Sequence, residues 1–360
     1  MYKSFVYIET RILLPAVDSV FVSDKNSSKF SVNPEVLSKF FVLAKALGCT
    51  FPAEARIETP TEPIKKPECS RPWTGYSLKA AEGGSITLQF HSQQKTIHIE
   101  ELRIEEDAGR LTHEKGSTVM DYSHAGCPSI KIKTAPSFEL GEEVQIFLEE
   151  LRRLTQYLDL ANDTVSDSLI RCNAFVSLAK YPENPNYYVK LRNLNSFNFA
   201  RKAINAELTR HENMISAGES VPSQSRYWNE TKYCSEFYQD RPVLNQKFTP
   251  IEPEQIIHPR ALAQEANQPE TMELPEARRQ RFKKQYGVSR LRSEFLCDYK
   301  DRADFFEAVA ALGANPLNAA HWIASELTRL LNKNNISVSK SKIKPEHFAF
   351  IIKKTGDKNE

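Results

Sequence analysis

Residues 85–105 read "SITLQFHSQQKTIHIEELRIE", and their pattern sets the class of fold. Apolar and polar residues alternate on both sides of the polar tetrapeptide "HSQQ", the period of a strand with one face buried, so the stretch reads as a β-hairpin opened by Gly83-Gly84. Downstream, "EEVQIFLEELRRLTQYLDL" (142–160) spaces Val144, Phe147, Leu148, Leu151, Leu154 and Leu158 as one helix face, with acids in the first turn where they favour the helix dipole. The runs "IRCNAFVSL" and "YYVKLRNL" read as strands. They lead into "LNSFNFARKAINAELTRHENMISAG" (194–218), a helix capped by Ser196, packed through Ile204, Leu208 and Ile215, and stopped by Gly218. Strands in runs followed by helices point to an α+β fold with a mostly antiparallel sheet.

At 360 residues the chain exceeds what one core normally covers, so a large first domain (1–255) and a smaller second one are expected. From residue 255, "QIIHPRALAQEANQPETMELPEARR" is polar, proline-punctuated and aperiodic, which reads as a linker over 256–272. Beyond it, "PEARRQRFKKQYG", "DRADFFEAVAALG", "PLNAAHWIASELTRLLNKNN" and "PEHFAFIIKK" read as the helices of a domain over 273–360. Residues 52–73, with five prolines, read as an irregular loop. Lys plus Arg total 48 against 46 Asp plus Glu, so net charge neither announces nor excludes a nucleic-acid partner. The six cysteines lie far apart with no C-x-x-C pair, which argues against zinc and for free thiols in a reducing cytosol. No apolar run approaches membrane-spanning length and the N-terminus lacks a cleavable leader pattern, so a cytoplasmic chain with no membrane contact is expected. There is no Gly-rich phosphate loop.

The hairpin runs into "RIEEDAGR" (103–110), where Glu105, Glu106 and Asp107 form the kind of acidic turn that hard cations favour, and that also occurs as a solvated surface turn. Together with "DYSHAGCPSIKI", "SLIRCNAFVS", "VKLRNLNSF", "SRYWNE" and "LPEARRQRFKKQYGVS", in this order, it resembles the B-type component of the tRNA-dependent amidotransferases, the GatB family. The likeness runs from about Met1 to Lys354. It is specific over 99–228, where several motifs follow one another, and loose over the first 90 residues. The resemblance implies a cradle domain that activates an acyl carboxylate of Glu-tRNA(Gln) or Asp-tRNA(Asn) with ATP and Mg²⁺ and transfers ammonia to it. It further implies an amidase and a small C-type subunit as partners, and a helical domain and tail domain that grip aminoacyl-tRNA. The chain ends near Glu360, so the tail domain is expected to be absent, and "VFVSDKNSSKF" lacks the cysteines of the family's zinc element.

Carried over motif by motif, Glu9, Glu105 and Glu106 are the expected catalytic and metal-binding acids. Arg11, Lys131 and Asn173 stand where the family pattern supplies a histidine, a glutamate and an aspartate, and Lys190 fills another acidic slot. Two unit charges about 4 Å apart interact by roughly 4 kcal/mol at an effective dielectric of about 20, so each lysine would repel a divalent ion strongly. The expectation is that Arg11, Arg103, Lys131 and Lys190 are ion-pair partners of the retained acids, and that the metal site is lost or remodelled. If the chain is catalytic, Arg11 and Arg103 contact ATP phosphates; if it is not, it is a GatB-like protein binding aminoacyl-tRNA, nucleotide or partner subunits. Arg192, Asn193 and Asn195 at a helix start offer a phosphate cradle, with a simple helix cap as the alternative. Arg278, Arg279, Arg281, Lys283 and Lys284 offer a tRNA-backbone contact, with a solvated helix face as the alternative.

Overall fold

The N-terminal stretch Tyr2–Leu13 forms a twelve-residue strand, β1, at the heart of the first unit. Its alternation buries Val6, Ile8, Thr10 and Ile12 on one face and turns Tyr7, Glu9 and Arg11 to the other. The computed structural model describes residues 2–23, 30–61, 70–90, 93–114, 117–160, 169–180, 184–240, 247–252, 254–266, 273–334 and 336–356. The remaining strands are β2 (Phe21–Ser23), β3 (Phe30–Val32), β4 (Ala55–Pro60), β5 (Ser77–Glu82), β6 (Ser85–Phe90), β7 (Gln93–Glu106), β8 (Arg110–Glu114) and β9 (Ser117–Asp121). They continue with β10 (Pro128–Thr134), β11 (Ile170–Lys180), β12 (Val189–Leu194), β13 (Gln224–Asn229), β14 (Cys234–Asp240), β15 (Phe248–Pro250) and β16 (Ile256–Ile257).

One large sheet runs in the order β14-β13-β12-β11-β1-β10-β7-β5-β4-β15, with β6 on β7 and β16 on β4. The β12–β13 pair is parallel and the others are antiparallel, as an α+β fold requires. The expected hairpin is β6–β7, paired from Ser85↔His98 to Phe90↔Gln93, so that Gln93 and Gln94 of the polar tetrapeptide belong to the ladder; residues 91–92 lie outside the described residues. β2–β3 and β8–β9 are separate two-stranded ribbons.

Helices α1 (Pro34–Ala46), α3 (Phe197–Ser216) and α4 (Pro259–Glu265) belong to this unit, as does α2 (Gly141–Tyr157) as far as Arg152. Ser196 Oγ accepts from Phe199 N at 3.1 Å and Gly218 takes φ +79°, so α3 starts and stops where its sequence signals lie. The helix packs on β11, β12 and β14 through Ala200, Ala203, Ile204 and Leu208. Its wholly buried Glu207 accepts from Ser235 Oγ of β14 at 2.6 Å, from Arg210 at 2.5 Å and from His211 Nε2 at 3.0 Å. Burial alone would raise the Glu207 carboxyl, but His211 and Arg210 outweigh it and hold the group down to about 2.

The structure corrects two readings. Part of the proline-rich stretch is strand β4, with Pro52 and Pro60 bracketing the ladder instead of interrupting it; residues 62–69 lie outside the described residues. The segment read as a linker from residue 256 holds β16 and α4, and clusters with the first unit as far as Pro269. Tertiary pairing with β4 outweighs the weak local pattern in both cases. Helix α1, capped by Asn33, was not expected either.

The second unit comprises Arg153–Thr164 and Glu270–Glu360. It contains α5 (Pro275–Tyr286), α6 (Arg290–Cys297), α7 (Lys300–Ala311), α8 (Pro316–Trp322), a π-helical turn (Ile323–Leu327), α9 (Thr328–Asn334) and α10 (Pro345–Gly356). Phe282, Leu296, Phe306, Val309, Ile323, Leu327 and Ile352 fill its core, while Leu330 is exposed. Among the described residues no helix is long and apolar enough to cross a membrane. One fold contact invites a direct check. A Cβ on Gly141 would lie 2.3 Å from the Arg201 carbonyl of α3, so Gly141→Ala is expected to lower stability by about 1–3 kcal/mol, read as a lower urea midpoint. An unchanged midpoint would contradict the close approach of α2 and α3.

Candidate functional site

Antiparallel register places Arg171, Arg11, Lys131, Arg103 and Lys79 opposite one another, one basic residue from each of β11, β1, β10, β7 and β5. Like charges directly opposite destabilise a sheet, so such a row needs acids beside it. Glu9 and Glu105 supply them from two residues away on β1 and β7, the spacing that returns a side chain to the same face. Lys131 Nζ lies 3.3 Å from Glu9 Oε1 and 3.8 Å from Glu105 Oε1, and Arg11 Nη2 lies 3.0 Å from Glu105 Oε2. Arg103 lies 3.8 Å from Glu105, donates to Ser77 Oγ at 2.8 Å, pairs with Glu58 and stacks 4.0 Å from the Phe248 ring. All three of these cations and Glu105 share one half-enclosed face. Burial would raise the Glu105 carboxyl, yet Lys131, Arg11 and Arg103 together hold it at about 2.

The three acids of the turn have separate fates. Both oxygens of Asp107 accept from Arg171 Nη1, at 2.9 and 2.8 Å. Glu106 Oε2 accepts from Thr74 N at 2.6 Å, Gly75 N at 2.8 Å and Thr74 Oγ1 at 3.2 Å. Burial pushes Glu106 above the usual carboxylate range, and among the described residues no cation stands within ion-pair distance of it. Its Oε1 is buried without a hydrogen-bond partner, as is Trp73 Nε1, and both residues line a cavity of about 120 Å³ with Arg11, Tyr76, Glu105, Asp107 and Phe248. Gly109 closes the turn at φ +101°, where a Cβ would meet the Asp121 carbonyl at 3.0 Å.

Arg11, Arg103 and Lys131 therefore stand beside Glu105, and Lys131 also beside Glu9. Lys190, expected among these ion-pair partners, has no carboxylate within 4 Å among the described residues, because β12 lies on the far side of β11 from Glu9. Asn173 faces Glu9 across β1–β11. The second expected cradle is organised differently. Asn193, at φ +62°, donates to the Trp228 carbonyl at 3.0 Å, and Asn195 donates to Asn193 Oδ1 at 3.0 Å and Glu230 Oε1 at 2.7 Å, so both hold the β12–α3 corner to the strand beyond it. In the helical unit, Arg278 is buried against Glu307 at 2.5 Å and Asp304 at 2.7 Å, and Arg281 is clamped by Glu273 at 2.5 Å and Glu307 at 2.6 Å. Arg279 pairs with Glu276 at 3.1 Å. Arg278 and Arg281 tie α5 to its surroundings, whereas the Arg279–Glu276 pair lies within the helix. Lys283 and Lys284 in its last turn have no ion pair among the described residues. Arg171, Thr74 and Gly75 were missed. Arg171 carried one legible signal, its place two residues before Asn173 on the same strand face.

Among the described residues no group of three or more His, Cys, Asp and Glu side chains is arranged to hold a metal ion. Comparison with known proteins adds an independent line. Residues 31–268 match the family model described as the GatB/GatE catalytic domain, and residues 304–359 match one described as a GatB domain. The B-type component of the aspartyl/glutamyl-tRNA(Asn/Gln) amidotransferase from a Synechococcus species is 30% identical over 335 residues, covering 89% of this chain and 68% of the relative. Its counterpart from Thermotoga maritima is 30% identical over 289 residues, covering 77% and 59%. The chain thus spans about three-fifths to two-thirds of the length of these relatives.

The unequal fates of Glu105 and Glu106 give opposite predictions. Glu105→Gln removes the carboxylate that pairs with Arg11 and leaves Lys131 with Glu9 alone, and is expected to cost about 3 kcal/mol or more. Glu106→Gln keeps an acceptor for Thr74 and Gly75 while removing a buried charge, and is expected to leave stability at pH 7 unchanged or higher. The depressed Glu105 contributes roughly 3 kcal/mol that is fully present above the unfolded carboxyl value of about 4.5 and lost as pH falls through about 2. The raised Glu106 acts in the other sense, favouring the fold at low pH and ceasing to do so as pH rises through its folded value. Urea titrations of both variants between pH 2 and pH 8 check these signs, and equal effects of the two substitutions would contradict them.

Proposed function

The chain belongs to the GatB/GatE family, and on that premise we propose that it serves as a GatB-type subunit of an aminoacyl-tRNA amidotransferase whose acidic metal site has been taken over by side-chain cations. The observation that carries this reading is Lys131, whose ammonium lies within 3.3 Å of Glu9 and 3.8 Å of Glu105. A Mg²⁺ ion needs near-octahedral oxygen ligands at roughly 2.0–2.1 Å and gives up its water reluctantly. Here Arg11 and Lys131 approach opposite oxygens of Glu105, Lys131 approaches Glu9, and Arg171 holds both oxygens of Asp107. The donor set therefore does not fit a divalent ion, and ATP-driven acyl activation finds no support in these residues.

What remains is recognition. A half-buried sheet face with fixed charges of both signs presents a rigid surface to an aminoacyl-tRNA end; the relatives' names make them one subunit of a larger amidotransferase, and an amidase and a small C-type subunit are the partners proposed here. The reading is tested by isothermal titration of the purified chain with Mg²⁺ and ATP, separately and together, beside Lys131→Glu/Asn173→Asp. The expected result is no Mg²⁺-dependent nucleotide heat in the unaltered chain, with such heat appearing in the double variant. Tight Mg²⁺-dependent ATP binding by the unaltered chain would overturn the proposal.

A further inference from the structure

Two cations on the same sheet stand outside the ion-pair row. Lys190 and Arg192 are two residues apart on β12, so both side chains leave the same face. Lys190 is 8% exposed, and its Nζ sits 5.0 Å above the ring of Phe175, its partner on β11. Arg192 is half-buried, lies 5.3 Å from the Tyr238 ring, and has its Nε buried with no acceptor. Among the described residues no carboxylate comes within 4 Å of either cation.

Their surroundings deepen the imbalance. The charged groups that act on Lys190 are Glu9 and Arg11 from β1, Lys131 from β10 and Arg192 from its own strand. Three of the four are cations, and Glu9 already lies 3.3 Å from Lys131. Ring faces attract cations, but they do not replace a counter-ion for a desolvated ammonium. We propose that Lys190 and Arg192 form an oxyanion site that takes a phosphate or carboxylate group, the ammonium acting as a point charge and the guanidinium as a planar donor. Asn193 and Asn195, engaged at the strand end, are not part of it. The site does not depend on the amidotransferase reading, because its test uses the chain alone.

Burial, reinforced by Arg192, Arg11 and Lys131 and opposed by Glu9, lowers Lys190 to about 8. An anion that favours the charged form must then draw a proton in as it binds near that pH. Isothermal titration at pH 8 and fixed ionic strength, in two buffers of different ionisation enthalpy, reads both the affinity and the proton count. Sulfate, which does not titrate at this pH, represents phosphate, and acetate represents carboxylate. Saturable binding of at least one anion is expected, with uptake of roughly half a proton per anion. Lys190→Gln should weaken it about tenfold or more and abolish the proton uptake, whereas Arg192→Gln should weaken it and retain the uptake. Should Lys190→Gln fail to fold, Arg192→Lys, which keeps the charge and loses the planar fork, supplies the comparison and should also weaken binding. Sulfate alone assigns the site to phosphate groups and acetate alone to carboxylates. No saturable heat with either anion, or binding indifferent to substitution of Arg192 and Lys190, would overturn the site.

Discussion

The Lys131 ammonium, held between Glu9 and Glu105, is the contact on which the chemistry of the sheet face depends. Remove it and two carboxylates on the strands either side of β10 face a half-enclosed space with Arg11 as the nearest compensation, which is how an acidic cation site is built. With it in place, the same carboxylates are anchors for a fixed positive group. The desolvation cost of burying these charges is met by mutual proximity and by the hydrogen bonds around Arg103 and Ser77, which makes the arrangement rigid and intolerant of losing one partner.

Geometry enforces that contact. Strand alternation sends Val6, Ile8 and Ile12 into the core and Glu9 and Arg11 the other way, and antiparallel register brings Arg171, Lys131 and Arg103 into line with Arg11. A slip of one residue in β1 would bury charges and expose the core, so the apolar face fixes the charged face. The result is a face of two characters. Around Glu105 and Asp107 positive and negative groups cancel at close range, while Lys190 and Arg192 on β12 keep an excess of positive charge and Glu106 has no cation within ion-pair distance among the described residues.

Much of this was legible in the sequence because it rests on period and motif. The β6–β7 hairpin, the cap and stop of α3, and the meeting of Lys131 with Glu9 and Glu105 follow from alternation, capping chemistry and the order of the motifs. What escaped depends on contacts between distant segments. Thr74 and Gly75 reach Glu106 through a loop about which local pattern says nothing, and the pairing of Arg171 with Asp107 requires the strand register. Strand β4 lies inside a proline-rich stretch and exists because β5, β15 and β16 pair with it. In α5 the basic residues were visible but their acidic partners were not: Glu307 lies on α7 and Glu273 just ahead of the helix, so Arg278 and Arg281 read as available charges when they are internal ties.

Crystals of the chain soaked in Mn²⁺ and measured at a wavelength where manganese scatters anomalously would show directly whether an ammonium or a metal ion occupies the space between Glu9 and Glu105. No anomalous peak is expected among Glu9, Glu105 and Asp107, with the Lys131 side chain continuing between the first two carboxylates. A manganese peak bonded to Glu9 and Glu105, with Lys131 swung away, would contradict the proposal that a side-chain cation stands where a metal would bind.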